Sequence, residues 1–429
     1  MDGEEHGLAE VDPEVFALLA REEARRSETL SLVASESLSS PAVRQALVSG
    51  LADRSADGLP GARQHSGCEA IDALEELARS RLCRLFEADH ANVQPHSGTQ
   101  ANLAAYQSLC RPGATILSMD PAHGGHISHG HAGTMAEQIW RFVHYPVDRY
   151  TERIDMDEVR RIADREKPAL IVAGAAAYPR SIDFSAFAAV AHAVDARLLV
   201  DMSQLAGLVI AGLHPNPVPY ADVVTLTTHK TLRGPRGGAI LCRADLAAAV
   251  DRAVFPGVQS SPLVQTIAAK AVCFQEAAEL SFAAEQRRAV GNATVLSAVL
   301  GRRGFRQVSG GTDVHLVLVD LRRQGITGRQ AERALEEAGI QVDKHLIPFD
   351  PQVPSRTSGI RAGTQWVTAL GMCEADMTDL ADAIADVLTA SSLGKGAQED
   401  AVASAQCRVQ RLRARLSLEH CVAREDCAP

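Results

Sequence analysis

The sequence predicts an α/β fold, with a mostly parallel central sheet flanked by helices and a smaller α+β domain towards the C-terminus. Three observations predict it. Short apolar runs such as Ala169 to Val172 and Arg197 to Asp201 alternate with helical segments, which is the pattern of a buried parallel sheet. Near Leu263 that alternation gives way to a long Ala-rich helical stretch running to about Leu300. The chain has 429 residues and is 46% hydrophobic, enough to fill two or three packed lobes. The expected division is a helical arm over 1–40, a large domain over 41–290 and a small domain over 291–429 with a frayed tail from Cys421 to Pro429.

Each element follows from local chemistry. Asp12-Pro13-Glu14 starts a helix, with proline at an early position and acid in the first turn. Ser39-Ser40-Pro41 opens another, through about Ser49. Residues 54–68 are polar and Gly-rich, and read as a loop that is either functional or a flexible connector. Glu69 to Leu85 places Ile71, Leu74, Leu77, Leu82 and Leu85 at helical spacing. Ala91 to Pro95 reads as a strand. The small turn Ser97-Gly98-Thr99-Gln100 then opens a helix over Ala101 to Cys110. Such a turn is either an anion site, because free N–H groups and the helix dipole favour a phosphate, or a simple cap.

Thr115 to Met119 is a strand, Phe184 to Val194 a helix, and the Arg197 to Asp201 strand ends in an acid. Ala221 to Leu226 and Ala239 to Cys242 are strands on either side of a Gly- and Pro-rich turn. In the small domain Val314 to Val319, Ile340 to Val342 and Ser358 to Arg361 read as strands. Thr327 to Ala338, Asp376 to Leu388 and Glu399 to Leu418 read as helices.

The turn after Leu226 carries Lys230, one of only five lysines. A lysine at a buried strand end can lose its charge by desolvation and condense with an aldehyde, whereas the alternative is a surface lysine beside a turn. Ligands gather at the carboxyl ends of parallel strands, where Ser97, Asp201 and Lys230 all fall.

Composition excludes several classes. A formal net charge of -10 argues against nucleic acid as a partner. No apolar run is long enough to span a membrane, and the acidic Met1 to His6 segment lacks the pattern of a signal peptide, so a cytoplasmic location is expected. Nine scattered cysteines without a Cys-x-x-Cys pair read as reduced thiols. Four histidines between His123 and His131 invite a metal. The glycines among them and the lack of cysteine or acidic ligands other than Asp120 point instead to close approach of a flat ligand, so no metal is expected.

A phosphate cup, an acid at one strand end, a lysine at the next and an arginine from a second lobe form the set that pyridoxal phosphate needs. The phosphate takes the helix start, the aldehyde the lysine, the pyridine nitrogen the carboxylate, and the amino-acid carboxylate an arginine fork.

The chain resembles the serine hydroxymethyltransferase family of fold-type-I pyridoxal-phosphate enzymes from about Asp12 to Leu418. The resemblance rests on Val33-Ala34-Ser35-Glu36, Ala91-Asn92-Val93-Gln94-Pro95-His96-Ser97-Gly98, His123-Gly124-Gly125-His126, Val200-Asp201-Met202, Ala206-Gly207-Leu208-Val209, Thr228-His229-Lys230-Thr231-Leu232, Gly234-Pro235-Arg236-Gly237-Gly238 and Thr357-Ser358-Gly359-Ile360-Arg361. It implies that Lys230 holds the cofactor aldehyde, Asp201 pairs with the ring nitrogen, His126 stacks on the ring and Ser97, Gly98 and Thr99 hold the phosphate. Ser35 and Arg361 would hold the substrate carboxylate, with His229 beside the lysine and Thr227 before it. It further implies a homodimer, or a tetramer, in which residues 54–68 and 255–262 reach into the partner's site.

The departures from the family pattern concentrate on one side. Ser55 stands for a tyrosine, Asp57 for a glutamate, and Gln64-His65 for paired tyrosines. Gln204 stands for a histidine, Ala176 for a serine, Ser260-Ser261 for tandem glycines, Pro121 for a leucine and His345 for an asparagine. The cofactor side survives, while groups that handle protons and folate are altered. Asp57 and His65 remain candidates for acid and base work, and Ser55 and His65 for substrate contact. The implied activity is cleavage or formation of the Cα–Cβ bond of serine, α-methylserine or threonine, with altered folate or acceptor use. Three alternatives stay open: an ordinary tetrahydrofolate-dependent hydroxymethyltransferase, a threonine aldolase or transaldolase of specialised metabolism, and a cofactor-binding pseudoenzyme.

Overall fold

A computed structural model describes residues 7–416. The strands in chain order are β1 (Leu30–Ser31), β2 (Gly58–Leu59), β3 (Ala62–Arg63), β4 (His90–Asn92), β5 (Thr115–Met119), β6 (Arg141–Tyr145), β7 (Leu170–Ala173) and β8 (Arg197–Asp201). They continue with β9 (Val223–Thr227), β10 (Gly238–Cys242), β11 (Arg306–Gln307), β12 (Leu316–Asp320), β13 (Ile340–Gln341), β14 (Asp343–His345) and β15 (Gly359–Gly363).

The central sheet has the order β4-β10-β9-β8-β7-β5-β6. Its pairs from β9 to β6 are parallel, and β10 runs antiparallel between β9 and β4. Alternate residues feed two cores, as the twofold period of a strand requires. Leu117, Ile171, Leu198 and Val200 pack with Val159, Ile162, Phe184 and Phe187 of helices Met156–Glu166 and Phe184–Ala193. Ile116, Leu170, Val172 and Leu199 pack with Ala101, Ala105 and Tyr106 of helix Gly98–Leu109 on the other face. Burial on both faces is why these strands read as unbroken apolar runs.

The smaller sheet, β11-β12-β15-β14, is wholly antiparallel. Its core takes Val317, Val319 and Ile360 together with Leu335, Leu380 and Leu412 from helices Gly328–Glu337, Glu374–Ala390 and Lys395–Arg415. Leu30 and Leu32 join the same core. β1 pairs with β13, and Gly363 N–H donates to Leu32 O at 2.7 Å. A Cβ at Gly363 would come within 2.5 Å of Ala34 Cα, so only glycine lets the Ser35 segment lie this close to β15.

Several elements differ from expectation. The stretch from Leu263 to Leu300 is two helices, Val264–Glu276 and Leu280–Arg302. The second packs through Phe282 on the central core and through Leu296, Val299 and Leu300 on the small one. Within 54–68, β2 and β3 form a short hairpin where a plain loop was expected. Arg63 holds it, bonding Asp72 at 2.7 Å, Glu75 at 2.6 Å and the carbonyls of Ala56 at 2.8 Å and Gly58 at 2.6 Å. The side chains of Arg63 and Glu75 are both buried, and losing one member of such a pair costs about 3–5 kcal/mol, so the hairpin is firmly seated. The strand expected over 91–95 is only His90–Asn92, because the next residues turn towards the helix start. β6 escapes sequence reading because it is a sheet edge with partly exposed side chains. The expected frayed tail, Cys421 to Pro429, lies outside the described residues. Among those described, no helix is long and apolar enough to cross a membrane.

Candidate active site

A cavity of about 900 Å³ opens at the carboxyl ends of β8 and β9 and is closed on one side by the small sheet. Ser35, Ser97, Gly98, Thr99, His126, Asp201, Gln204, Thr227, His229, Lys230 and Arg361 all line it.

The turn after β9 fixes Lys230. Thr228 N–H donates to Gly237 O at 3.1 Å and Gly234 N–H to Thr228 O at 2.7 Å. Thr231 Oγ1 accepts the Gly207 N–H at 3.0 Å, and Thr231 O accepts from Gln286 at 3.1 Å, tying the turn to helix Leu280–Arg302. Lys230 is buried and lines the cavity. Desolvation lowers its pKa to about 8. Asp201 opposes that shift, while Arg361 and Arg236 add to it. Lys270 is also buried, and desolvation takes its pKa to about 7. Its Nζ, however, donates to Val93 O at 2.6 Å, Gly238 O at 2.8 Å and Pro95 O at 3.1 Å. Lys270 therefore joins the segment ahead of helix Gly98–Leu109 to β10, and Lys230, not Lys270, lines the cavity.

Asp201 ends β8. Its Oδ2 accepts from Asn102 Nδ2 at 2.9 Å and lies 3.0 Å from His129 Nε2, and its Oδ1 accepts the Ser203 N–H at 2.9 Å. Burial alone would raise its pKa, but the His129 hydrogen bond and the charges of His129 and His126 hold it well below the ordinary carboxylate range. Asn102 is itself set by Thr225 Oγ1, which donates to Asn102 Oδ1 at 2.6 Å. His126 Nδ1 accepts the Ser128 N–H at 3.2 Å, and burial, reinforced by His129, lowers its pKa to about 4. His229 falls to about 3 through burial and then Arg236.

Ser97 caps helix Gly98–Leu109, its Oγ accepting the Gln100 N–H at 3.1 Å. The N–H groups of Gly98 and Thr99 have no acceptor within the helix and remain for a ligand. A Cβ at Gly98 would lie 2.6 Å from Thr227 Cγ2, so the helix start is built tight against β9. Gln204 Nε2 donates to Ala176 O at 3.1 Å. Arg361 projects from β15; its Nη1 donates to the same Ala176 carbonyl at 2.6 Å, and its Nη2 to Asp343 Oδ2 at 2.6 Å.

Ser55, Asp57, His65, Ser260 and Ser261 do not line this cavity. They gather on one face instead. Ala56 N–H donates to Ser261 Oγ at 2.8 Å, and His65 Nε2 lies 3.5 Å from Asp57 Oδ2. Asp57 Oδ1 is buried without a partner among the described residues. Pro121, Ala176 and His345 do line the cavity.

The family model for serine hydroxymethyltransferase matches residues 8–384. The chain belongs to the serine hydroxymethyltransferase family. Membership implies pyridoxal phosphate as cofactor and a transferase acting on an amino acid. The residues present fit that cofactor: an amine with a depressed pKa, a carboxylate held ionised and a helix start with open N–H groups all face one cavity.

Sequence reading missed His129, Asn102 and Asp343. His129 lay among histidines weighed as metal ligands, yet its ring is buried against Asp201. Among the described residues no group of three or more His, Cys, Asp or Glu is placed to hold a metal ion. Asn102 carries no spacing signal, since it meets Asp201 only across the fold. Asp343 could have been found from its place opposite Arg361, had the β14–β15 register been known.

Proposed function

We propose that this member of the family breaks and makes the Cα–Cβ bond of a β-hydroxy-α-amino acid, with weakened or lost dependence on folate. The observation that carries the bond chemistry is Lys230, its pKa lowered by burial, in one cavity with the ionised Asp201 and the Arg361 fork. Bound pyridoxal phosphate supplies an aldehyde for the substrate amine and a ring that accepts the electron pair left at Cα.

The protein's own groups do the rest. Lys230 would hold the cofactor and, when free, would be an amine able to move a proton near Cα. Asp201, kept ionised by His129 and Asn102, would retain a proton on the ring nitrogen. His126 would cover one ring face, and the N–H groups at Gly98 and Thr99 would hold the phosphate with the Ser97 hydroxyl. Arg361 and Ser35 hold the substrate carboxylate, and Thr227, His229 and Gln204 wall the site. Cleavage removes the proton of the β-hydroxyl, breaks Cα–Cβ, releases an aldehyde and leaves Cα to be protonated, giving glycine from serine or threonine and alanine from α-methylserine.

The folate part of the reading rests on Pro121 and His345 in the cavity wall and on Ser55, Asp57 and His65 in the hairpin segment. One observation favours the ordinary folate-dependent enzyme instead: the Asp57–His65 approach of 3.5 Å joins a carboxylate to a proton carrier. We read the hairpin and the Ser260-Ser261 segment as parts of a partner subunit's site in a homodimer. The test is incubation with serine, threonine and α-methylserine, with and without tetrahydrofolate, followed by mass spectrometry of the products. Free aldehyde with glycine from serine or threonine, or with alanine from α-methylserine, without folate supports the reading. Products only with folate restore the ordinary assignment, and none at all the pseudoenzyme.

A further inference from the structure

Arg361 already holds a carboxylate. β14 and β15 pair with Asp343 directly opposite Arg361. Arg361 Nε and Nη2 both donate to Asp343 Oδ2, at 3.1 and 2.6 Å, and Nη1 donates to Ala176 O at 2.6 Å. Arg361 is buried, while Asp343 keeps only part of its side chain in solvent. The neighbouring Lys344 does not compete for Asp343, because its Nζ bonds Glu332 at 3.0 Å. Asp201 is committed to His129, Asn102 and Ser203. The negative charge on the Arg361 fork is therefore that of Asp343.

We propose that Asp343 sets the selectivity of this site for substrates that carry an α-carboxylate, by competing for the guanidinium that captures it. The proposal rests on the reading of Arg361 as the carboxylate anchor. A guanidinium recognises a carboxylate through paired N–H donors, and here one edge, Nε with Nη2, is filled from within the chain. An incoming carboxylate either takes the remaining end beside a like charge or displaces Asp343 from a half-buried pair. Both routes cost binding free energy that an amine without a carboxylate does not lose. The wild-type site thus discriminates only weakly between an amino acid and the corresponding amine. Removing the charge while keeping an acceptor for Arg361 sharpens that preference.

The experiment is calorimetric binding of glycine and of methylamine to the holoenzyme, neither of which has a Cα–Cβ bond to lose. Asp343→Asn should tighten glycine by about tenfold and leave methylamine unchanged. Unchanged or weaker glycine binding in a folded Asp343→Asn protein overturns the proposal and makes Asp343 a residue that merely orients Arg361. If the asparagine variant does not fold, Asp343→Ser carries the same expectation. Arg361→Lys tests the underlying reading separately. A glycine-to-methylamine ratio unmoved by that change sinks Arg361 as the anchor, whatever Asp343→Asn does.

Discussion

His129 Nε2 lies 3.0 Å from Asp201 Oδ2, with the histidine ring fully buried. A carboxylate expected to keep a ring nitrogen protonated must stay ionised while desolvated, and this contact, with Asn102, keeps it so.

Replacing His129 with phenylalanine keeps the ring volume but removes the donor. Hydrogen bonds to charged groups are worth about 1.5–3 kcal/mol, so cofactor affinity should fall by roughly ten- to a hundredfold. His129→Asn, which keeps a donor, should recover part of it. Equal cofactor affinity in all three proteins, measured by equilibrium binding, would show that His129 only fills space.

Lys230 should react as a neutral amine at unusually low pH. With its pKa lowered to about 8, labelling of the apo-protein by an aldehyde and borohydride should rise through about pH 8 and then level. Peptide mapping should place the label on Lys230. Lys270 has a pKa of about 7 but is held by three carbonyls away from the cavity. Linkage has the same origin. Between about pH 8 and the unfolded lysine value of about 10.4, the unfolded chain binds more protons, so Lys230 makes apo-protein stability rise with pH there. Lys230→Met should remove that rise. A labelling midpoint near 10, or a label on Lys270, contradicts the assignment.

The face carrying Ser55, Asp57, His65, Ser260 and Ser261 should complete a partner's site. An inactive Lys230→Ala protein mixed with an inactive Ser260→Asp, Ser261→Asp protein should regain part of the activity, because some mixed dimers hold one intact site. No recovery after verified subunit exchange would leave each chain with a site of its own.

The central sheet was legible because its strands are buried on both faces and announce themselves as apolar runs; β5 and β8 begin and end where the sequence places them. The site was legible where it lies at strand ends and helix starts, as at Ser97, Asp201 and Lys230. It was not legible where partners meet across the fold. Asn102 sits mid-helix and reads as ordinary. Asp343 reads as a polar residue beside a short strand, and only its register with Arg361 gives it meaning. The β2–β3 hairpin was hidden because Arg63 and Glu75, not apolar spacing, hold it.

The proposed weakened or lost dependence on folate is decided by the rate of β-phenylserine or threonine cleavage by the purified holoenzyme, with and without tetrahydrofolate, together with β-carbon exchange of serine. The same rate is expected in both conditions, with no folate-stimulated exchange of the β-carbon of serine. A folate-stimulated conversion of serine to glycine in the ordinary enzyme range, about 1–10³ per second, would contradict it.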